Sequence, residues 1–466
     1  MDLSYCRLVR EQRRTIPRIG NLKGDTGLFR EDLSMDLLET AIRRNPEMIR
    51  TAAELHKTGE IPVNTYLIDL DTVKHNAEII KKEVDQAHVT AYLCAKQIGR
   101  NPLVCRTIVN TGIRKAIALD IEGIKALHRY GIPIAHVGHF GQIPTGEIQF
   151  VLENVKPDVI TVFSVEKARQ ISDVTSRIGK TQDLLLRIVA NHHHAYNAIP
   201  GGFTAEESVD VAKHINRLNG VRVIGLTTYP ACNFNIRSHE YTLSANFLSM
   251  LRSARELKAE LGIEIEHINA AGRNCVKTTT MLAENGATHI EPGHAFTGTL
   301  PDMAFYDAPE TPSVCYVSEV SHLVGGSPMM FADSMMTTAL IGSIKNVVDY
   351  ERICTVVGDD PDTIVRNMVP AVPQEYWHND ATWHMYCTLL PDANVRPKIG
   401  DTVIAGFRPQ IYRAPGPARV APVTGIQRKK PKLLGLFDRS GLLLDRKTET
   451  PYGLDTSAVH KLMDTL

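Results

Sequence analysis

Between His88 and Ile290 the chain alternates short apolar runs with amphipathic stretches, at a spacing of roughly 20 to 40 residues, the rhythm of repeated strand–helix units. The strand-like runs are His88–Lys96, Lys115–Asp120, Ile134–Phe140, Val159–Ser164, Leu184–Ala190, Val221–Tyr229, Ile265–Ala271 and Thr288–Glu291. Helices are expected between them at Glu122–Tyr130, Val165–Ile178 and Ala205–Leu218, with Asp120 and Ser164 placed to cap the first two. An eightfold repeat over about 200 residues predicts a closed (β/α)8 barrel, of the TIM type, rather than an open doubly wound sheet.

After Pro301 the texture changes. Val314–Val324, Thr337–Ile344, Arg352–Val357, Trp383–Leu389 and Thr402–Phe407 are short runs broken by Gly and Pro, with little helical period between them, which predicts a second, all-β domain. Val63–Leu70, followed by a helix-like Thr72–Val84, is suited to pair with that domain before the chain enters the barrel. The expected organisation is therefore a partly helical N-terminal extension over residues 1–60 (Glu31–Arg43, Glu47–Lys57), a barrel over 61–300, a C-terminal β-domain over 301–435 and a tail over 436–466.

Composition narrows the partners. With 466 residues the chain is too long for one ordinary core, and 52 basic against 52 acidic residues leave no basic excess for nucleic acid or an anionic membrane. The N-terminus carries Arg7, Arg10, Arg13 and Arg14 without a signal-peptide core, and no run reaches the ~18 apolar residues of a membrane span, so a cytoplasmic protein is expected. Eight cysteines lie far apart, without the paired spacing of zinc or redox sites, and read as reduced thiols.

Lys96 ends the first apolar run, where a charged amine must reach a solvated cavity, pair with an acid, lose its proton or snorkel to solvent. Catalytic groups of such barrels sit at the C-terminal ends of strands, and phosphates bind the loops after strands seven and eight. Asn269-Ala270-Ala271-Gly272 follows the seventh run and Pro292-Gly293-His294 the eighth, with small residues that let backbone N–H groups approach an anion and a helix expected at Lys277–Asn285. Glu291 closes the eighth run. A lysine that takes an aldehyde as a Schiff base, and a carboxylate that keeps a pyridine nitrogen protonated, together suit pyridoxal 5′-phosphate (PLP). A strand-end ion pair is the alternative for Glu291.

At these motifs the chain resembles the fold-type III PLP enzymes, the group of alanine racemase and ornithine decarboxylase, over roughly residues 60–430. Within that group it looks most like the YhfX-type, alanine-racemase-like branch. Lys96-Gln97-Ile98-Gly99-Arg100-Asn101-Pro102 occupies the place of the Schiff-base lysine motif, and Asn269-Ala270-Ala271-Gly272 resembles the phosphate loop. Glu291-Pro292-Gly293-His294 is similar to the decarboxylase motif Glu-Pro-Gly-Arg, whereas bacterial alanine racemases have arginine in the place of Glu291. Lys398-Ile399-Gly400-Asp401-Thr402-Val403 resembles the Val-Gly-Asp run of the β-domain, and Tyr386-Cys387-Thr388 its cysteine-containing strand. The resemblance implies PLP on Lys96, an amino-acid substrate, carbanion chemistry at the α-carbon and a homodimer. Racemisation is the expected reaction, with decarboxylation or aldol-type cleavage as the rival and a PLP carrier without turnover as the alternative of another class.

Two departures stand out. Arg100 holds the place of a phosphate-binding tyrosine, where its guanidinium offers a charge-assisted fork instead, and His294 replaces the decarboxylase arginine. Tyr412 and Tyr229 are candidate phosphate contacts, acids or packed aromatics. For the face opposite the lysine the candidates are Cys387 and His194, the last of the run His192-His193-His194. No metal is expected, because adjacent residues in extended chain point to opposite sides and three consecutive histidines cannot face one ion.

Overall fold

The computed structural model describes residues 37–192, 199–335, 353–373, 385–453 and 456–466. Each of the eight expected runs contains barrel strand, and all of their pairings are parallel. The first run is interrupted at Tyr92, and its two pieces pair on different sides: Thr90–Ala91 with the last strand, His289–Ile290, and Leu93–Cys94 with Ala116–Ala118. Tyr92 N donates to Ile290 O at 2.9 Å and Cys94 N to Pro292 O at 3.0 Å, while Leu93 N donates to Lys115 O at 3.0 Å, so the ring closes through this one strand. Strands such as Leu184–Leu186 are buried throughout, which is why they read as unbroken apolar runs.

The helices start where their caps predict. Asp120 accepts from Gly123 N at 2.7 Å and opens Ile121–Arg129, and Ser164 accepts from Lys167 N at 3.1 Å and opens Val165–Ile178. The third helix, Ala205–Ile215, stops short of Leu218.

The second sheet is antiparallel apart from one pairing. Val314–Val324, Ser327–Phe331, Tyr386–Leu389, Met368–Pro373, Ile353–Gly358 and Thr402–Ala405 pair in a circuit that returns to Val314–Val324, a closed six-stranded arrangement. Thr65–Asp69 joins it between Val314–Val324 (antiparallel, Tyr66 opposite Tyr316) and Arg419–Thr424 (parallel, Tyr66 opposite Val420). The chain is thus tied into the β-domain before helix Leu70–Gln86 delivers it to the barrel.

Three features differ from the domain organisation read from sequence. Helices Leu37–Arg44 and Pro46–Lys57, within the partly helical N-terminal extension, belong to the second sheet's core, because Leu38, Met48, Ile49 and Ala52 are buried together with Leu67, Val317, Ile404 and Ala421. Leu436–Asp438 and Leu443–Leu444 add strands to that sheet, so it runs past residue 435. The last helix, Ser457–Met463, returns to the barrel, where His460 meets Tyr130 with ring centroids 6.2 Å apart. The run Thr337–Ile344 lies outside the described residues. Among the described residues no helix is long and apolar enough to cross a membrane.

Candidate active site

The C-terminal ends of the barrel strands surround a cavity of about 320 Å³. Lys96 opens the short turn Lys96–Ile98 just beyond Leu93–Cys94, and its Nζ stands 5.3 Å from the centre of the Phe140 ring. Glu291 follows the last strand. Lys96, Glu291, Ala271, Gly272, Gly293 and His294, all singled out from sequence, line this one cavity. So does Tyr229, whose ring meets Phe140 edge-on with centroids 5.0 Å apart.

Glu291 is held from inside the barrel. Its Oε1 lies 2.7 Å from His136 Nδ1 and accepts from Asn269 Nδ2 at 2.8 Å. His136 Nε2 lies 2.6 Å from Thr161 Oγ1, and Asn269 Nδ2 also donates to Thr227 Oγ1 at 2.8 Å. Burial opposes the charge on Glu291, but the positive charge that His139 takes up in acid and the hydrogen bonds from His136 and Asn269 outweigh it and bring the carboxyl down to about 2. The other oxygen, Oε2, is buried and makes no hydrogen bond among the described residues. His139 itself is pushed down to about 3, chiefly by burial, and is a neutral ring near neutral pH.

The two loops beside Glu291 are fastened together by Asn274. Its Oδ1 accepts from Gly272 N at 3.1 Å and Glu291 N at 3.0 Å, and its Nδ2 donates to Ala270 O at 2.8 Å. Gly272 has φ +103°, and a Cβ there would stand 3.0 Å from the Tyr229 ring and 3.1 Å from Pro230 Cα. Gly293 lies against Cys94, whose carbonyl would be 3.4 Å from an added Cβ. Asn274→Ala strips the buried N–H of Glu291 of its acceptor, and an urea melt is expected to show a loss of roughly 1–3 kcal/mol. An unchanged midpoint would mean the loops hold their positions without it.

Other sequence candidates fall elsewhere. Asn269 is on the seventh strand and acts on Glu291 rather than on the cavity wall. Arg100 NH2 donates to Asp120 Oδ1 at 2.7 Å and its guanidinium lies 5.6 Å from the Tyr412 ring centre, so neither Arg100 nor Tyr412 faces the cavity. The cause is local: Gly99 and Arg100 both take left-handed conformations, at φ +61° and +54°, and the Asp120 carboxylate captures the guanidinium. Cys387 is fully buried in the second sheet opposite Met330, its thiol pushed up to about 12 by burial. It packs in the core and does not line the cavity of its own chain. His194 lies outside the described residues, and His192 is at the surface, its Nε2 3.2 Å from a Glu207 carboxylate oxygen.

Cavity residues that the sequence reading gave no role include Cys94, Phe140 and Arg408, while Arg273 extends the loop after the seventh run. Arg273 is ion-paired with the buried Asp302. His136 and His139, in the apolar run Ile134–Phe140, carried a signal that was available. A histidine inside a buried strand needs polar partners for the same reason Lys96 needs a cavity.

These features define a barrel of the alanine racemase fold. Residues 68–301 match the family model described as "Alanine racemase, N-terminal domain", and the chain belongs to that family. It is 28% identical to the uncharacterized protein YhfX of Escherichia coli K12, over 87% of this chain and 98% of that one. D-threo-3-hydroxyaspartate dehydratase from Delftia sp. HT23 superposes with a TM-score of 0.59 at 13% identity, covering 80% of this chain and 97% of that one. Alanine racemase of Clostridium difficile 630, in complex with cycloserine, gives 0.56 at 15% identity, over 80% and 98% of the two chains.

The cofactor of this fold family is PLP. The cavity suits it on three observations. An amine and a carboxylate lie on its wall, Glu291 Oε2 is a buried acceptor that lacks a donor such as a protonated ring nitrogen, and Gly272 and Gly293 bring backbone without side chains to the same wall. Among the described residues no group of three His, Cys, Asp or Glu side chains is arranged to hold a metal ion.

Proposed function

We propose that this protein is a PLP-dependent amino-acid racemase. The observation that carries the reading is the meeting of Lys96 and Glu291 on one cavity at the C-terminal end of the barrel. Lys96 would hold the cofactor's aldehyde carbon, Glu291 its ring nitrogen, and the backbone of Ala271, Gly272 and Gly293 its phosphate. When bound, the cofactor supplies an electron sink for a carbanion at the substrate's α-carbon. Lys96 would remove or return the α-proton on its own face while a second group works the opposite face, so that the configuration inverts, and the Phe140 ring beside Nζ limits water around the amine. Glu291, kept ionised by His136 and Asn269, maintains the charge that makes the sink effective. Dimeric assembly belongs to this reading, since members of the family are typically dimeric and act on amino acids.

A lyase, decarboxylating the amino acid or cleaving or eliminating at its β-carbon, is the second reading. It is favoured by the ionised carboxylate at position 291, because a strong sink helps where the carbanion is harder to form, and by the likeness to a dehydratase. The test is incubation of the PLP-loaded protein with D- and L-amino acids in deuterated solvent. Deuterium at the α-carbon with loss of optical rotation identifies a racemase, and keto acid, ammonia, carbon dioxide or aldehyde a lyase. A spectral shift without exchange or product identifies a carrier, and a protein that stays colourless with added PLP ends the reading altogether.

A further inference from the structure

We propose that Arg44, the last residue of the N-terminal helix Leu37–Arg44, is a positioning residue for the loop that would hold the cofactor's phosphate. The inference rests on the PLP reading above and gives the N-terminal segment a part in it.

The loop after the seventh strand needs support from outside itself. Gly272 and Arg273 are consecutive left-handed residues, at φ +103° and +56°, and for a residue other than glycine that conformation costs on the order of 1 kcal/mol. Asn274 fastens the loop to Glu291. Two further contacts come from one segment, residues 300–311. The buried Asp302 pairs with the Arg273 guanidinium and accepts from the Tyr241 hydroxyl at 3.3 Å. Glu310, also buried, accepts from Val276 N at 2.8 Å at the start of helix Val276–Glu284, where a carboxylate side chain also meets the positive end of the helix. Leu300 and Pro301 of the same segment line the cavity.

Arg44 holds the far end of that segment. Its NH1 donates to the carbonyl oxygens of Ala308 and Glu310, the latter at 2.8 Å, and its NH2 to Pro309 O at 3.2 Å and Thr311 Oγ1 at 2.9 Å. The two terminal nitrogens carry four N–H groups and meet acceptors on four consecutive residues, a match for a rigid planar fork that a lysine ammonium cannot reproduce. Thr311 has a second support, since Asn76 on helix Leu70–Gln86 donates to its carbonyl at 2.8 Å and accepts from its N–H at 2.8 Å. What Arg44 adds is the placement of residues 308–310 and, through the Glu310 side chain, of the helix start at Val276. Arg44 does not line the cavity, so its effect there passes through this segment.

The test compares PLP with pyridoxal, which lacks the phosphate, each titrated into the apoprotein and followed by absorbance. In Arg44→Gln, PLP affinity is expected to fall roughly three- to thirtyfold, the size of an effect passed on by a residue that does not touch the ligand, while pyridoxal affinity changes less than about twofold. Arg44→Lys should fall in between. A variant that is only partly folded loses both ligands in proportion, so the ratio of the two affinities reads the loop and not the folded fraction. Glu310→Ala breaks the same line of contacts at its other end, and the double variant should lose less than the product of the two single fold-losses. Equal losses of PLP and pyridoxal in Arg44→Gln, no loss of either, or single losses that simply multiply in the double variant overturn the positioning role. A wild-type protein that binds PLP no more tightly than pyridoxal overturns the phosphate loop as well. If the preference for PLP depends on Arg44 while no amino acid is turned over, the reaction assigned above fails and the positioning role stands.

Discussion

Lys96→Ala is expected to give a folded protein that takes up PLP without the visible absorbance band of the wild type and exchanges substrate α-protons roughly 10³-fold more slowly, or not at all. Lys96 is the one lysine among the described residues that line the cavity, and no other amine there can replace it. The loss should fall on chemistry rather than on folding. Lys96 is half-buried at the start of a three-residue turn and belongs to none of the hydrophobic cores, so truncation leaves the packing of Leu93, Ala95 and Ile98 in place. A circular dichroism melt close to that of the wild type would confirm this. A band that survives the substitution would mean that the cofactor is attached elsewhere, and the assignment of the site would fall with it.

Much of the barrel could be read from the chain because its strands are buried on both faces and leave a plain apolar signature. Lys96 and Glu291 were legible for the complementary reason: a charge at the end of such a run has to meet a cavity or a partner. Residues acting across the ring were harder to see. His136 and Glu291 are 155 positions apart and meet only when the barrel closes. Nothing in the segment Gly406-Phe407-Arg408 indicates that a β-domain loop reaches the mouth of another domain. Arg100 was misplaced because its role was inferred from its distance after the lysine, and that inference assumes a turn of the same shape. Here two consecutive left-handed residues and an acidic neighbour direct it elsewhere. Cys387 was chosen by its flanking residues, but strand register rather than spelling decides which side of a sheet a thiol faces.

Glu291→Gln is expected to lower kcat roughly 10²- to 10³-fold while leaving KM and PLP uptake nearly unchanged, the pattern of a group whose charge matters most in the transition state. Glutamine keeps the size of the side chain but removes the negative charge that would hold a ring nitrogen protonated. A drop in KM and kcat together, or an undiminished rate, would show that the carboxylate does not tune the chemistry. The same substitution has a signature independent of turnover. The Glu291 carboxyl is lowered from its usual 4.5 to about 2 in the folded protein, so its ionised form binds the fold better than the unfolded chain. That stabilising contribution is complete above about 4.5 and is lost as pH falls towards 2, because below both values the carboxyl is protonated in either state. Acid unfolding followed by circular dichroism should therefore be shallower for Glu291→Gln than for wild type across this window. At neutral pH the variant should also be the less stable of the two, since His136 and Asn269 then surround an uncharged amide. Parallel acid titrations would instead locate the charge of this site in the histidines, and the carboxylate would lose its place in the mechanism.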